Sequence, residues 1–233
     1  MAMAQLANPD CYGAFLLSCI FLPVVFFVVR RIFSAQLKTE GQVAWILSFV
    51  SAAVMTLGSS RFVFFSRLAY EQDLLSDPLV NDRLAIWVTS FFAAYLVSDL
   101  ILGTVYYPSK IDMVTGWIHH FAYIGICIGT IHHQGPGLLM LPAFMELPTV
   151  LLALGHLHKP FRNDVLFGLV FFATRILYHT YLIWHVKVHL PEGYYYHVLG
   201  AAVLPVHVFW FYKFILQQAR RLSAKKQDEV KSQ

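Results

Sequence analysis

The chain has 233 residues, of which 58% are hydrophobic and 16% aromatic while only 13% carry a charge. Soluble domains run at roughly 45 to 50% apolar and about 25% charged, so the composition argues against a water-soluble fold. The net charge of +4 does not describe a nucleic-acid-binding stripe, because six of the 17 basic residues fall from Lys213 onward. Such a tail can touch anionic lipid headgroups, each basic residue near the surface being worth about 1 kcal/mol.

A bilayer core about 30 Å thick needs roughly 20 apolar helical residues to cross it. Seven segments approach this: Gly13 to Val29, Gln42 to Leu57, Leu84 to Tyr106, Trp117 to Ile131, Gly137 to Leu157, Val165 to Val186 and Tyr194 to Phe214. The second and fourth are short, which leaves six spans as the fallback. No basic region precedes the first run, and Arg30 and Arg31 follow it; it reads as a retained span, not a cleaved signal. Turn signals separate the segments at Asp77-Pro78, Gln134-Gly135-Pro136-Gly137, Lys159-Pro160 and Pro191-Glu192-Gly193. Asn163 and Asp164 are placed to cap the sixth helix. Cys11, Cys19 and Cys127 lie in or beside apolar runs with no paired spacing, and read as small core residues. The expected architecture is an all-α multi-pass transmembrane bundle of one domain.

With seven spans, twelve Lys and Arg fall on the side of the 30–40 loop and the C-terminal tail, and Arg61, Arg67, Arg83 and Lys187 on the other. The positive-inside rule then places the N-terminus outside or in a lumen and the C-terminus in the cytosol.

Only Asp99, Glu146 and Arg175 carry charge well within spans. A charge at the bilayer centre costs at least ~2.5 to 3.5 kcal/mol, so each must face the interior and find a partner, and function is the default reading. Glu146 and Arg175 sit on neighbouring segments and could form an ion pair that serves only helix registration. Pro142 and Pro148 flank Glu146, which predicts a distorted, polar pocket there. Asp99 and the pair His119-His120 lie at similar depth near the cytosolic side. Adjacent helical residues point about 100 degrees apart, so one imidazole at most faces Asp99 squarely. An aspartate that fixes one ring's tautomer leaves the other nitrogen as a base or nucleophile, whereas the plain alternative is two polar groups satisfying each other. Tyr95 and Tyr106 share the Asp99 face, and Tyr123 shares one with His119; tyrosines of this kind also serve as interface anchors. His179, one turn after Arg175, belongs to the same expected network. His207, near Trp210, reads first as a core hydrogen-bonding residue. His132-His133 and His156/His158 lack the spacing of a metal site, and no metal or cofactor is expected.

Five stretches carry a resemblance: Tyr95-Leu-Val-Ser-Asp99, Trp117-Ile-His119-His120, Phe144-Met-Glu146-Leu-Pro148-Thr149, Ala173-Thr-Arg175-Ile-Leu, and Pro205-Val-His207-Val-Phe-Trp210-Phe-Tyr212. In this order they resemble the TLC-domain family, which includes ceramide synthases, translocating-chain-associated membrane proteins and small stand-alone members. The likeness runs from about Gln42 to Arg221, which divides the chain into an N-terminal span and loop (1–41), a TLC domain (42–221) and a polar tail (222–233).

The resemblance implies a bundle around a central lipid cavity, in the endoplasmic reticulum. In ceramide synthases the paired histidines are catalytic, and His119 and His120 match them, with Asp99 as their orienting acid. Tyr95, Tyr106, Tyr123, Glu146, Arg175, His179, His207 and Trp210 are the expected substrate-binding set. The chain departs from the synthase pattern at Met145-Glu146-Leu147-Pro148-Thr149, where the synthases carry a His-Asp and a further Asp. Its expected role is to bind an acyl chain or lipid in membrane-lipid homeostasis. Two alternatives stand beside this: an N-acyltransferase using acyl-CoA, and a cargo receptor or chaperone for membrane clients.

Overall fold

The computed structural model describes residues 9–66, 74–75, 77–191 and 195–231, without the side chains of 115, 225, 226 and 228–231. Arg67, Glu192-Gly193, Tyr194 and the last two residues of the expected tail lie outside the described residues. Among the described residues there is no strand.

The first compact unit ends at Asn163. Helix α1 (Pro9–Ile32) is followed by α2 (Glu40–Phe64), whose start is fixed by a capping box. The Thr39 hydroxyl accepts from the Gln42 amide at 3.2 Å, and the Gln42 side chain accepts from the Thr39 amide at 3.3 Å. A 3-10 turn (Pro78–Asn81) leads into α3 (Arg83–Tyr106), capped by the Asp82 carboxylate on the Leu84 amide at 2.8 Å. Next comes a π-helical stretch (Met113–Ile118) continuous with α4 (His119–His132). Helices α5 (Pro136–Ala143) and α6 (Leu147–Leu157) are joined through a 3-10 turn, Phe144–Glu146. The helix therefore changes pitch at Glu146, between the two prolines that interrupt its hydrogen bonding.

Helix α3 is the centre of this unit, with 78% of its apolar window buried against 17% for α1. Leu22 and Phe26 of α1, Val43, Ile46 and Leu47 of α2, and Phe91, Ala94 and Leu102 of α3 form one core. In lipid such packing is driven by close contact and not by leaving water, which favours small residues where helices meet. At Gly58 of α2 any Cβ would lie 2.7 Å from Val88 on α3. At Gly137 of α5 it would lie 2.1 Å from the Leu79 carbonyl oxygen of the 3-10 turn. The turn between α4 and α5 puts Gln134, not the adjacent Gly135, in the left-handed region, with φ of 57°.

The second unit runs from Asp164. Helix α7 (Asp164–Phe171) passes through a second π-helical stretch (Phe172–Tyr178) into α8 (His179–His189), and α9 (Tyr196–Lys231) closes the chain. Within it, Phe171 stacks on Phe211 at 5.8 Å and Phe167 meets Phe214 edge-on at 5.2 Å. Gly168 gives the Phe214 ring room, since a Cβ there would come within 2.7 Å. Arg221 pairs with Asp164.

Among the described residues there are seven helical rods, six of them long and apolar enough to cross a membrane. Helix α2 is longer than the sequence suggested, at 25 residues. The rod outside the six is the fourth, with six π-helical and fourteen α-helical residues. Its α-helical part alone, at fourteen residues, is shorter than a bilayer crossing needs. The protein is an all-α, integral membrane type of bundle.

Candidate functional site

Asp99 sits two turns before the end of α3, and His120 is the second residue of α4. Between them the chain makes a tight reversal around Ile111, which fills the space that a Cβ at Gly103 (2.5 Å) or at Gly116 (3.0 Å) would need. The reversal is also tied to the start of α2, where the Glu40 carboxylate accepts from the Ser109 hydroxyl at 2.7 Å and the Ser109 amide at 3.1 Å. This holds the end of α3 against the start of α4 and brings the two side chains together, each residue 6% exposed.

His120 Nε2 lies 3.0 Å from Asp99 Oδ2. An ionised carboxylate can only accept, so Nε2 carries the hydrogen and Nδ1 of the neutral ring keeps its lone pair. That Nδ1 is buried and has no hydrogen-bond partner. The other carboxylate oxygen, Oδ1, accepts from the Tyr107 hydroxyl at 2.8 Å. Tyr107 is 1% exposed, and burial together with the Asp99 charge pushes its phenol well above the ordinary tyrosine range.

Tyr107 was missed by the sequence reading, which chose Tyr106. Tyr106 instead turns to α1, packing on Phe26 at 5.4 Å and Phe27 at 5.5 Å and lying under the Arg30 guanidinium at 4.7 Å. The reason is helix termination: Tyr107 precedes Pro108, leaves helical geometry (φ −147°, ψ 54°) and folds its ring back along the last two turns. A residue before proline is disfavoured in helix, so the signal was present in the Tyr106-Tyr107-Pro108 triplet.

The remaining expected residues fall into two places. Tyr95 lies on the Asp99 side of α3, with its ring 6.2 Å from that of His120 and its hydroxyl 3.4 Å from Ser48 Oγ. His119 is exposed, unlike its neighbour, and packs on Tyr123 at 4.6 Å. In the second unit, His179 Nδ1 and His207 Nδ1 are 3.0 Å apart, Arg175 Nη1 lies 3.5 Å from His207 Nε2, and Trp210 is 5.9 Å from the His207 ring. Arg175 comes from the π-helical stretch and also lies over the Phe171 ring, at 5.6 Å. Glu146 belongs to the first unit and Arg175 to the second.

Outside these clusters, the His156 ring stacks on Trp45 at 4.8 Å, and among the described residues no group of three or more His, Cys, Asp or Glu is arranged to hold a metal ion. An open apolar groove of about 630 Å³ runs along α1, lined by Leu17, Phe21 and Val24 with Val54 of α2 and Phe91 of α3.

Chemically, the arrangement is an imidazole of fixed tautomer with a free basic nitrogen, buried in a membrane bundle. Comparison with curated proteins gives no match, nor does comparison with solved structures. The family model of the TLC domain matches residues 42–216, from the start of α2 to the middle of α9 and so across both the Asp99–His120 pair and the Arg175–His207 cluster. On that match the chain belongs to the TLC-domain family.

Proposed function

We propose that this protein binds a membrane lipid or acyl chain within its bundle and acts in membrane-lipid homeostasis, with the Asp99–His120 pair facing the lipid's polar end. The observation that carries the reading is the buried, unpartnered Nδ1 of His120. Leaving a polar atom without a partner in a low-dielectric interior costs about 1 to 3 kcal/mol, a cost a ligand hydroxyl, amine or carboxyl hydrogen would remove. Family membership supports it, since the TLC domain is a membrane type associated with lipid metabolism or sensing. The apolar groove along α1 is a surface suited to an alkyl chain. The proposed setting is the endoplasmic reticulum, with the N-terminus lumenal and the C-terminus cytosolic as the basic loops suggest.

The same nitrogen favours a second reading, N-acyl transfer from acyl-CoA to a long-chain amine. There the amine nitrogen bonds to the acyl carbon, the carbon–sulfur bond breaks, and His120 Nδ1 carries the amine's proton to the departing thiolate. Asp99 would hold the ring and stabilise its charged form.

The test is to purify the protein in mild detergent, identify retained lipid by mass spectrometry, and assay acyl-CoA with a long-chain amine. His119→Ala, His120→Ala and Asp99→Asn are measured in parallel. Retained lipid that falls at least tenfold in His120→Ala, without turnover, supports the binder. Turnover lost in His120→Ala supports the transferase. A lipid-free, inactive protein overturns both and leaves the receptor or chaperone alternative.

A further inference from the structure

We infer that Tyr107 is the positioning residue of the Asp99–His120 pair, its hydroxyl deciding which nitrogen of His120 carries the hydrogen. The use of that nitrogen rests on the lipid reading above, but the geometry stands by itself.

Two other histidines on helices of this chain show what an imidazole does when nothing directs it. His156 places Nδ1 2.8 Å from the Leu152 carbonyl, and His189 places Nδ1 2.9 Å from the His185 carbonyl, each four residues earlier. A carbonyl only accepts, so both rings carry their hydrogen on Nδ1. His120 is the opposite case: its Nδ1 has no partner and Nε2 donates to Asp99. The residue four before it, Gly116, lies in the π-helical stretch, where the Gly116 and Trp117 amides both reach the Asp112 carbonyl at 3.1 Å.

Asp99 alone does not fix this choice. A carboxylate turns about its last torsion with little preference, so a free one could swing away from the ring. Tyr107 removes that freedom by donating to Oδ1, and its hydroxyl also lies 3.4 Å from the Asp99 carbonyl. The ring itself cannot move: it is 1% exposed, packs on Phe26 at 6.1 Å, and passes so close to Gly103 that a Cβ there would lie 2.9 Å from Tyr107 Cε2. One carboxylate oxygen is therefore spent on Tyr107 and the other on His120. Without the phenol, the carboxylate can swing off the ring and His120 is released to the habit of His156 and His189, with its hydrogen on Nδ1 and its lone pair on Nε2.

The experiment uses the full chain in lipid nanodiscs labelled with ¹⁵N-histidine, the His120 signals being identified by their absence in His120→Gln. Wild type is expected to show the Nε2–H tautomer at His120, and Tyr107→Phe to shift at least half the population to Nδ1–H. An unchanged tautomer in a folded Tyr107→Phe protein overturns the inference, because a merely packing role would leave the ring nitrogens alone. Should Tyr107→Phe fail to fold, 3,5-difluorotyrosine at position 107 keeps the shape and strengthens the donor. It is then expected to shift the His120 Nε2 resonance, and an unmoved resonance overturns the inference. Both measurements compare proteins in the same lipid and read only the ring nitrogens, so an unaltered tautomer sinks this inference alone, while a detergent-purified protein that retains no lipid but keeps the Nε2–H form sinks the lipid reading alone.

Discussion

At Asp99 one carboxylate takes a phenol on one oxygen and an imidazole on the other, and the chain supplies these partners by different routes. The Asp99–His120 relation was legible in the sequence, because a span-embedded acid and a histidine at equal depth have few other ways to be satisfied. Which of two adjacent histidines turns inward was not legible, since it depends on the phase of α4, set by the π-helical stretch before it. Tyr107 was hidden for a related reason: face-sharing by helical periodicity picks Tyr106, and fails one residue past the helix end. Because Tyr107 keeps its proton when folded beyond the ordinary tyrosine pKa of about 10, its contribution to stability is fully present below that pH and fades above it. The stability gap between wild type and Tyr107→Phe is therefore expected to stay constant from pH 7 to 9 and to narrow above about pH 10. Denaturant titrations of both proteins across that range measure it, and a gap that widens at alkaline pH contradicts the assignment.

Among the elements, long apolar runs announced the helices, but composition understated their ends. Helix α2 gains its first turn from Thr39 and Gln42, a capping pair visible in the sequence yet outside any apolar window. The break at Glu146 was readable from Pro142 and Pro148, whereas the two π-helical stretches carry no comparable marker. Both stretches touch the candidate clusters, one leading into His119-His120 and the other holding Arg175, in keeping with the tendency of such irregular turns to lie at functional places. Packing between elements also depends on bare backbone. Gly137→Ala would drive a Cβ into the Leu79 carbonyl oxygen, a backbone atom that cannot swing aside. A loss of about 2 kcal/mol or more is expected, as for other overpacked sites, and thermal unfolding in detergent checks it. A melting temperature equal to wild type would mean that the 3-10 turn does not rest on α5.

For the whole molecule, composition was enough to assign a membrane bundle, and the five short motifs were enough to suggest a family. Each single neutralisation, Glu146→Gln or Arg175→Gln, is expected to lower stability, because a charge set within a span is matched to its surroundings and its loss leaves them unmatched; yield and melting temperature in detergent check it. Helix α9 has a consequence of its own, since its 36 residues exceed what a bilayer needs. At 1.5 Å per residue it reaches about 54 Å, and a hydrocarbon layer of about 30 Å accounts for little more than half. The remainder is a helical, basic extension beyond the hydrocarbon layer, and a fluorophore attached behind it would report how far that extension lies from the membrane surface.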